Sequence, residues 1–254
     1  LLTELGHEIG QFDQPCDGYI INTCSVTAVA DKKNRAVLRR CRREHPEAVI
    51  GVCGCYSQTA PDEVAALGAD LVSGSAGRLA FLDALEEKFR EKSRGTCAPT
   101  VSVDKALARR AFEPLAGGGM EGRTRAFLKV EDGCVNFCSY CIIPYTRGRV
   151  RSLPMDSAVQ QAAELDRKGY RELVLTGIEI ASYGVDLPGK PDLADVVCAV
   201  AKAAPHMRLR LGSIEPSNIN EEFCAKLASC GSVCRHFHLS LQSGCDATLK
   251  AMNR

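Results

Sequence analysis

Short apolar runs alternate with amphipathic stretches along most of this chain, and that alternation restricts its fold more than any other feature. Tyr19-Ile20-Ile21-Asn22 reads as a buried strand and Ala30 to Glu44 as a helix. Ala48-Val49-Ile50-Gly51-Val52 is the next strand, followed by a short helix from Pro61 to Leu67. Asp70-Leu71-Val72 gives a third strand and Leu79 to Lys92 a further helix. Strands that alternate with helices need crossover connections, which implies a parallel sheet covered by helices. Residues 93–122 break the pattern with Ser93-Arg94-Gly95, Pro99, Pro114 and Gly117-Gly118-Gly119, leaving room for one short helix near Lys105 to Arg110. From residue 123 the alternation resumes, with strands predicted at 126–131, 171–176, 207–212 and 236–241. Helices are expected at 156–168, 192–203 and 219–229, with another starting near Asp246. The expectation is α/β throughout: an amino-terminal doubly wound α/β domain over residues 1–95, a linker over 96–122, and a (β/α) barrel, cut short, over 123–254.

The ends fit that picture of a piece. Leu1-Leu2-Thr3-Glu4-Leu5-Gly6-His7 reads as the last turns of a helix closing at Gly6, and the chain stops at Met252-Asn253-Arg254 inside another helical pattern. With 32 basic against 31 acidic residues, no bulk field points to nucleic acid or membrane, so any RNA contact must come from local patches. No apolar run approaches the roughly 20 residues that span a bilayer, and a cytoplasmic protein, a monomer, is expected. The 14 cysteines come without a secretory signal, which suits a reducing compartment where thiols stay available to metal. Eight of them, Cys16, Cys41, Cys53, Cys97, Cys198, Cys224, Cys230 and Cys234, show no ligand spacing and are read as small buried hydrophobes.

Three others are different. Gly133-Cys134-Val135-Asn136-Phe137-Cys138-Ser139-Tyr140-Cys141 carries thiols in a C-x3-C-x2-C spacing, with no fourth ligand nearby. A tetrahedral zinc site would want that fourth ligand. A [4Fe–4S] cluster held by three cysteines keeps one iron open to a cofactor. Phe127 to Asp132 reads as a strand running into this loop, and Tyr140 precedes the last thiol. The bland alternatives are a zinc knuckle or three unrelated core thiols.

The remaining motifs fall at strand carboxyl ends, where α/β sheets collect their chemistry. Asn22-Thr23-Cys24 and Gly54-Cys55-Tyr56 follow adjacent strands, so both thiols sit on one rim; Cys53 is a confuser two residues away. Leu175-Thr176-Gly177-Ile178-Glu179-Ile180 offers a close backbone approach at Gly177 and an acceptor at Glu179, or merely a tight turn. Leu211-Gly212-Ser213-Ile214-Glu215-Pro216 places a hydroxyl and a carboxylate at the sheet edge, unless Glu215 caps the next helix. His236 and His238 lack a third metal partner and read as satisfied core or barrel histidines. Two basic stretches remain: Lys32-Lys33-Asn34-Arg35 with Arg39-Arg40-Cys41-Arg42-Arg43, more often a solvated helix face, and Arg147-Gly148-Arg149-Val150-Arg151, which suits phosphate beside a reactive centre.

Taken together, Ile21-Asn22-Thr23-Cys24, Gly54-Cys55-Tyr56, the loop from Asp132 to Gly148 and Leu241-Gln242-Ser243-Gly244 resemble the radical S-adenosylmethionine (SAM) methylthiotransferases over essentially the whole chain. The turns Thr176 to Gly184 and Gly212 to Pro216, with His238 to Asp246, look like the branch acting on threonylcarbamoyladenosine in tRNA.

The resemblance implies two [4Fe–4S] clusters and SAM. Cys134, Cys138 and Cys141 would hold the SAM-cleaving cluster. Cys24 and Cys55 would hold part of an auxiliary, sulfur-donating one, whose remaining cysteine the family places before Leu1. Tyr140, Gly177, Glu179, Ser213 and Glu215 would contact SAM. The implied reaction puts a methylthio group on C2 of the modified adenosine beside the anticodon, with the tRNA anticodon loop and a low-potential electron donor as partners. The alternatives are the same chemistry on isopentenyladenosine or a ribosomal protein, and a zinc protein that binds RNA without catalysis.

Overall fold

The computed structural model describes residues 2–114, 118–119 and 122–254; Leu1 and Gly117 of the readings above lie outside them. Two compact units emerge. One takes in residues up to Ala106 together with Tyr145–Arg147, the other Leu107–Pro144 and Gly148–Arg254.

In the first unit β1 (Gly18–Thr23), β2 (Val49–Gly54), β3 (Leu71–Ser73) and β4 (Thr100–Ser102) form a parallel sheet in that order. Helices α1 (Ala28–Glu44), α2 (Cys55–Thr59), α3 (Pro61–Ala66) and α4 (Arg78–Ser93) connect the strands. Successive strand residues point to opposite faces, and here both faces are apolar. Tyr19, Ile21, Ile50, Val52 and Val72 pack with Leu38 and Cys41 of α1, while Val49 and Leu71 pack with Phe81 and Leu85 of α4. Helices on both sides make this unit doubly wound. The start of α1 is fixed by Thr27, whose side chain accepts from the Ala30 N–H. Its far end is fixed by Arg42, which donates to the carbonyls of Gly68, Pro46 and Ala48 and pairs with Asp70 at 2.5 Å.

Two sequence expectations change here. Thr100–Ser102, read as linker, is the fourth strand, and its exposed side chains explain why it carries no apolar signal. The opening residues form a turn rather than a stretch of helix. Gly6 N–H bonds to the Thr3 carbonyl and His7 N–H to the Leu2 carbonyl, with Gly6 at φ +90°, the bond pair that closes a helix end.

The second unit contains β5 (Gly118–Gly119), β6 (Arg125–Lys129), β7 (Glu131–Asp132), β8 (Arg151–Ser152), β9 (Glu172–Thr176), β10 (Arg208–Leu211), β11 (Ser213–Ile214) and β12 (His238–Leu239). Its helices are α6 (Met155–Arg167), α7 (Leu193–Ala203), α8 (Glu221–Ala228) and α9 (Asp246–Ala251), while α5 (Ile143–Arg147) has its first two residues in this unit and the rest counted with the first. The main sheet runs β10-β9-β6-β5, with β6, β9 and β10 parallel and β5 antiparallel. Ala126, Leu128, Leu173, Leu175 and Leu209 are buried against Ala158 and Ala162 of α6 and Val196, Val197 and Val200 of α7.

The opposite sheet face is polar. Arg125 pairs with Glu172 at 2.6 Å and Arg210 with the same carboxylate at 3.2 Å, beside half-exposed Phe127 and Lys129. Parallel sheets ordinarily bury both faces. A charged face opposite the helix layer is what the concave side of an open (β/α) barrel presents. The predicted strand at 236–241 shrinks to β12, which pairs with β11 outside the main sheet. Its residues 236–239 are exposed on both faces, so no apolar packing holds a longer strand. No helix among the described residues is long and apolar enough to cross a membrane.

Candidate functional site

The cysteine loop is tied at its base before it is free to wander. β7 and β8 form a two-residue antiparallel ribbon, pairing Glu131 with Ser152 and Asp132 with Arg151. Across it, the Asp132 carboxylate meets Arg151 at 3.1 Å and Lys129 at 2.8 Å, with both Asp132 and Arg151 buried. The Cys134 N–H donates to the Gly148 carbonyl at 3.0 Å. Such close approach requires Gly133: it has φ +98°, and a Cβ there would lie 2.0 Å from the Arg149 carbonyl oxygen.

Between these ties the loop has no strand, and its three thiols differ in depth. Cys138 is buried while Cys134 and Cys141 are half-buried, and the Cys141 N–H bonds back to the Cys138 carbonyl. Burial pushes the Cys134 thiol up. Bound metal overcomes such a shift by taking the thiolate form. Among the described residues no three His, Cys, Asp or Glu side chains converge on a point where a single ion would sit. The three thiols on one short loop are the donor type that an iron–sulfur cluster takes from cysteines.

Beside the loop lies the turn after β9. Glu131 is fully buried, and its Oε2 accepts the N–H groups of Ile178 at 2.8 Å and Glu179 at 2.7 Å. Burial pushes its carboxyl up to about 8 against those two bonds. Gly177 is where the close approach happens, since a Cβ there would stand 2.7 Å from Glu131 Oε2. Glu179 is half-buried, its carboxyl pushed up by burial, and it caps the next turn by accepting from the Ala181 N–H at 3.3 Å.

The other expected SAM contacts have partners within the chain. Ser213 Oγ and His238 Nδ1 lie 2.8 Å apart, and Glu215 pairs with Arg254. Arg254 also donates to Tyr140 Oη at 3.3 Å and approaches Cys138 Sγ at 3.6 Å. Asn253 and the Met252 carbonyl bond to the loop backbone at Asn136, Phe137 and Ser139, so the segment after α9 packs on the cysteine loop. His236 and His238 are exposed, not core residues; each is satisfied by a polar neighbour, Arg210 in the case of His236.

In the first unit, β1 and β2 are in register from Gly18↔Val49 to Thr23↔Gly54, which brings Cys24 and Cys55 out at adjacent strand ends. Thr23 Oγ1 donates to the Cys53 carbonyl and accepts the Ser57 N–H, locking that corner. Gly54, at φ +110°, has no room for a Cβ against the Thr23 backbone. Cys24 is exposed and Cys55 buried. Cys53 does not share the rim; it packs on the α4 side with Phe81 and Leu85. All 14 cysteines are free, and of the eight read as buried hydrophobes only Cys41 is buried, six are half-buried and Cys224 is exposed.

Of the arginines after the loop, only Arg149 is exposed. Arg151 is a buried structural partner of Asp132, because the ribbon folds it inward. The sequence reading places Glu131 and Asp132 in the strand entering the loop and Gly133 at its start, but assigns none of them a role. The signal was there: two acids and a glycine ending an apolar strand need buried partners and a positive φ.

Residues 128–254 match the family described as "Radical SAM superfamily", and residues 1–74 match "Uncharacterized protein family UPF0004". The chain is 39% identical, over 100% of its length, to a protein of Bacillus subtilis named threonylcarbamoyladenosine tRNA methylthiotransferase MtaB, of which it covers 55%. A protein of Aquifex aeolicus with the same name is 35% identical over 98% of the chain and 59% of its own length. A tRNA-2-methylthio-N(6)-dimethylallyladenosine synthase of Porphyromonas gingivalis is 34% identical over 98% of the chain and 54% of its own length. The chain thus spans somewhat more than half the length of these curated relatives. Among solved structures, the radical S-adenosylmethionine methyltransferase TsrM from Kitasatospora setae superposes with a TM-score of 0.58 at 17% identity, covering 93% of this chain and 50% of that one. That likeness is one of fold.

Proposed function

Because the chain belongs to the radical SAM superfamily, we propose that it is the catalytic portion of a tRNA methylthiotransferase whose substrate is threonylcarbamoyladenosine beside the anticodon. The observation that carries this reading is the ribbon-closed loop bearing Cys134, Cys138 and Cys141, of which Cys138 is buried and the other two half-buried. Its substrate rests on the relatives whose names specify threonylcarbamoyladenosine.

In this reading the three loop thiolates hold one [4Fe–4S] cluster, and Cys24 and Cys55 hold part of an auxiliary one. When bound, the clusters and SAM supply the hydrogen-abstracting radical and the sulfur. The residues of the chain do the rest. Gly177 lets the turn after β9 close on Glu131, Glu179 on that turn offers a carboxylate to the SAM amine, and Tyr140, Ser213 and Glu215 are the further SAM contacts. Unpaired anticodon-loop bases are cheap to splay out, which suits chemistry on an adenine edge. The cytoplasmic location, the monomeric state and a low-potential electron donor belong to this proposal.

The test is anaerobic reconstitution of the full-length protein with iron and sulfide, assay on tRNA with SAM, and mass analysis of the nucleosides. Methylthio-threonylcarbamoyladenosine should form and Cys138→Ala should abolish it. Formation of the isopentenyl product alone would transfer the reading to the other branch. Zinc without iron or sulfide would end it.

A further inference from the structure

The pairing of β6 with β9 does not stop where the backbone ladder ends. The last backbone register pair is Lys129 with Thr176, and the Val130 N–H still reaches the Thr176 carbonyl at 2.9 Å. One residue on, a side chain takes over: Glu131 Oε2 collects the next N–H groups on the β9 side, those of Ile178 and Glu179. Gly177 permits this, because any Cβ would fall 2.7 Å from that oxygen and 2.9 Å from the Glu131 carbonyl oxygen. The carboxyl is fully buried, and its other oxygen, Oε1, has no hydrogen-bond partner among the described residues.

A carboxyl is a poor choice for merely filling this space, since a buried polar atom without a partner costs stability. What it supplies is an acceptor with the reach to gather two consecutive backbone donors from another strand's turn. We infer that Glu131 is a positioning residue, whose Oε2 fixes the Ile178–Glu179 turn, and with it the Glu179 carboxylate, against the strand that delivers Cys134. This rests on the proposed reading in which the turn contacts SAM bound beside the cysteine loop.

The neighbouring groups agree with a neutral clamp. Asp132, the next residue on the strand, and Glu179 on the turn are acids close enough to disfavour charge on Glu131, and burial opposes it most. A neutral carboxyl keeps Oε2 as the acceptor for the two N–H groups and carries its proton on Oε1. Glutamine reproduces that arrangement, with its amide oxygen for Oε2 and its NH2 for Oε1. Leucine has similar volume and removes the acceptor.

The test uses the full-length protein reconstituted with iron and sulfide, in wild-type, Glu131→Gln and Glu131→Leu forms. SAM affinity is read by equilibrium dialysis, together with the change in the electron paramagnetic resonance spectrum of the reduced cluster when SAM is added. The expected result is wild-type iron content in both variants, a SAM Kd within about threefold of wild type for Gln, and a Kd raised tenfold or more for Leu. Ten-fold corresponds to about 1.4 kcal/mol. The Leu variant should also show a weakened spectral response to SAM.

Should Leu fail to fold, Glu131→Asp draws the carboxyl back by one methylene and should give the same split. Equal SAM affinity in all variants overturns the inference. So does loss of iron from Leu and Asp alike, which would assign Glu131 to the fold alone, and so does equal failure of Gln and Leu. Because SAM binding is read without tRNA, a protein that shows the split but makes no methylthio nucleoside refutes the proposed function and not the positioning role.

Discussion

Gly133→Ala is the most direct challenge to the idea that the cysteine loop is held by its base. Two costs apply to this substitution. The first is conformational: φ +98° is unfavourable for an L-residue, by about 1–2 kcal/mol. The second is steric. The new Cβ would lie 2.0 Å from the Arg149 oxygen, 2.6 Å from the Arg149 carbonyl carbon and 2.7 Å from the Gly148 oxygen. These are backbone atoms, fixed by the Cys134–Gly148 hydrogen bond and the β7–β8 pairing, so relief means opening the ribbon. Giving up one or two backbone hydrogen bonds costs about 1 kcal/mol each, and loosening the buried Asp132–Arg151 pair adds to that.

A total of about 3–5 kcal/mol follows, within the range of severe single substitutions. Gly189→Ala supplies the comparison: it sits at φ +74° in the same unit with nothing within 4 Å of its would-be Cβ, so only the conformational cost of about 1–2 kcal/mol applies. Urea unfolding followed by circular dichroism measures both. Iron retained after anaerobic reconstitution reports whether the loop still presents its thiols. If Gly133→Ala loses no more stability than Gly189→Ala and keeps its iron, the ribbon does not hold the loop.

Other expectations follow from the same geometry. The Glu131 carboxyl is raised from 4.5 to about 8 in the folded chain, chiefly by burial. The fold therefore binds more protons than the unfolded chain between those values, and its stability should fall as pH rises from about 4.5 to 8. Glu131→Gln should remove that part of the slope, which unfolding series at pH 5.5 and pH 8 would detect. Arg42→Ala deprives three carbonyls and Asp70 of their donor, and Asp70 also accepts the Ile50 N–H at 2.7 Å. A loss of about 2–3 kcal/mol in chemical denaturation is expected, and a loss under 0.5 kcal/mol would show the network to be dispensable.

On α1, Lys32, Lys33 and Arg39 are exposed and fall on neighbouring turns of the helix. If this face meets RNA, changing all three to Gln should weaken binding of an anticodon stem–loop and reduce the log–log salt slope by about 2–3, at roughly 0.7–0.9 per charge. An unchanged slope would leave it a solvated face.

The sequence was explicit wherever a local pattern suffices. Strand–helix alternation located β1 to β3, β6, β9 and β10 and their helices, because apolar periodicity is written residue by residue. It missed β4, whose side chains are exposed, and overextended β12, whose apolar residues find nothing to pack against. The thiol spacing of Cys134, Cys138 and Cys141 is likewise local, and so was visible at once. Arg151 shows the limit of such reading: in sequence it belongs to a basic run, yet the ribbon turns it inward onto Asp132.

By itself, then, the chain determined which segments become strands and helices, and where thiols recur at close spacing, since both depend on neighbours a few positions apart. Only the tertiary structure decided which of those residues act together. Glu131 lies 47 and 48 positions from the Ile178 and Glu179 amides it gathers, and Arg254 lies 114 positions from Tyr140. Contacts over such separations form only after sheet pairing and burial have brought distant strand ends together, and the same burial sets the protonation of the groups that meet there.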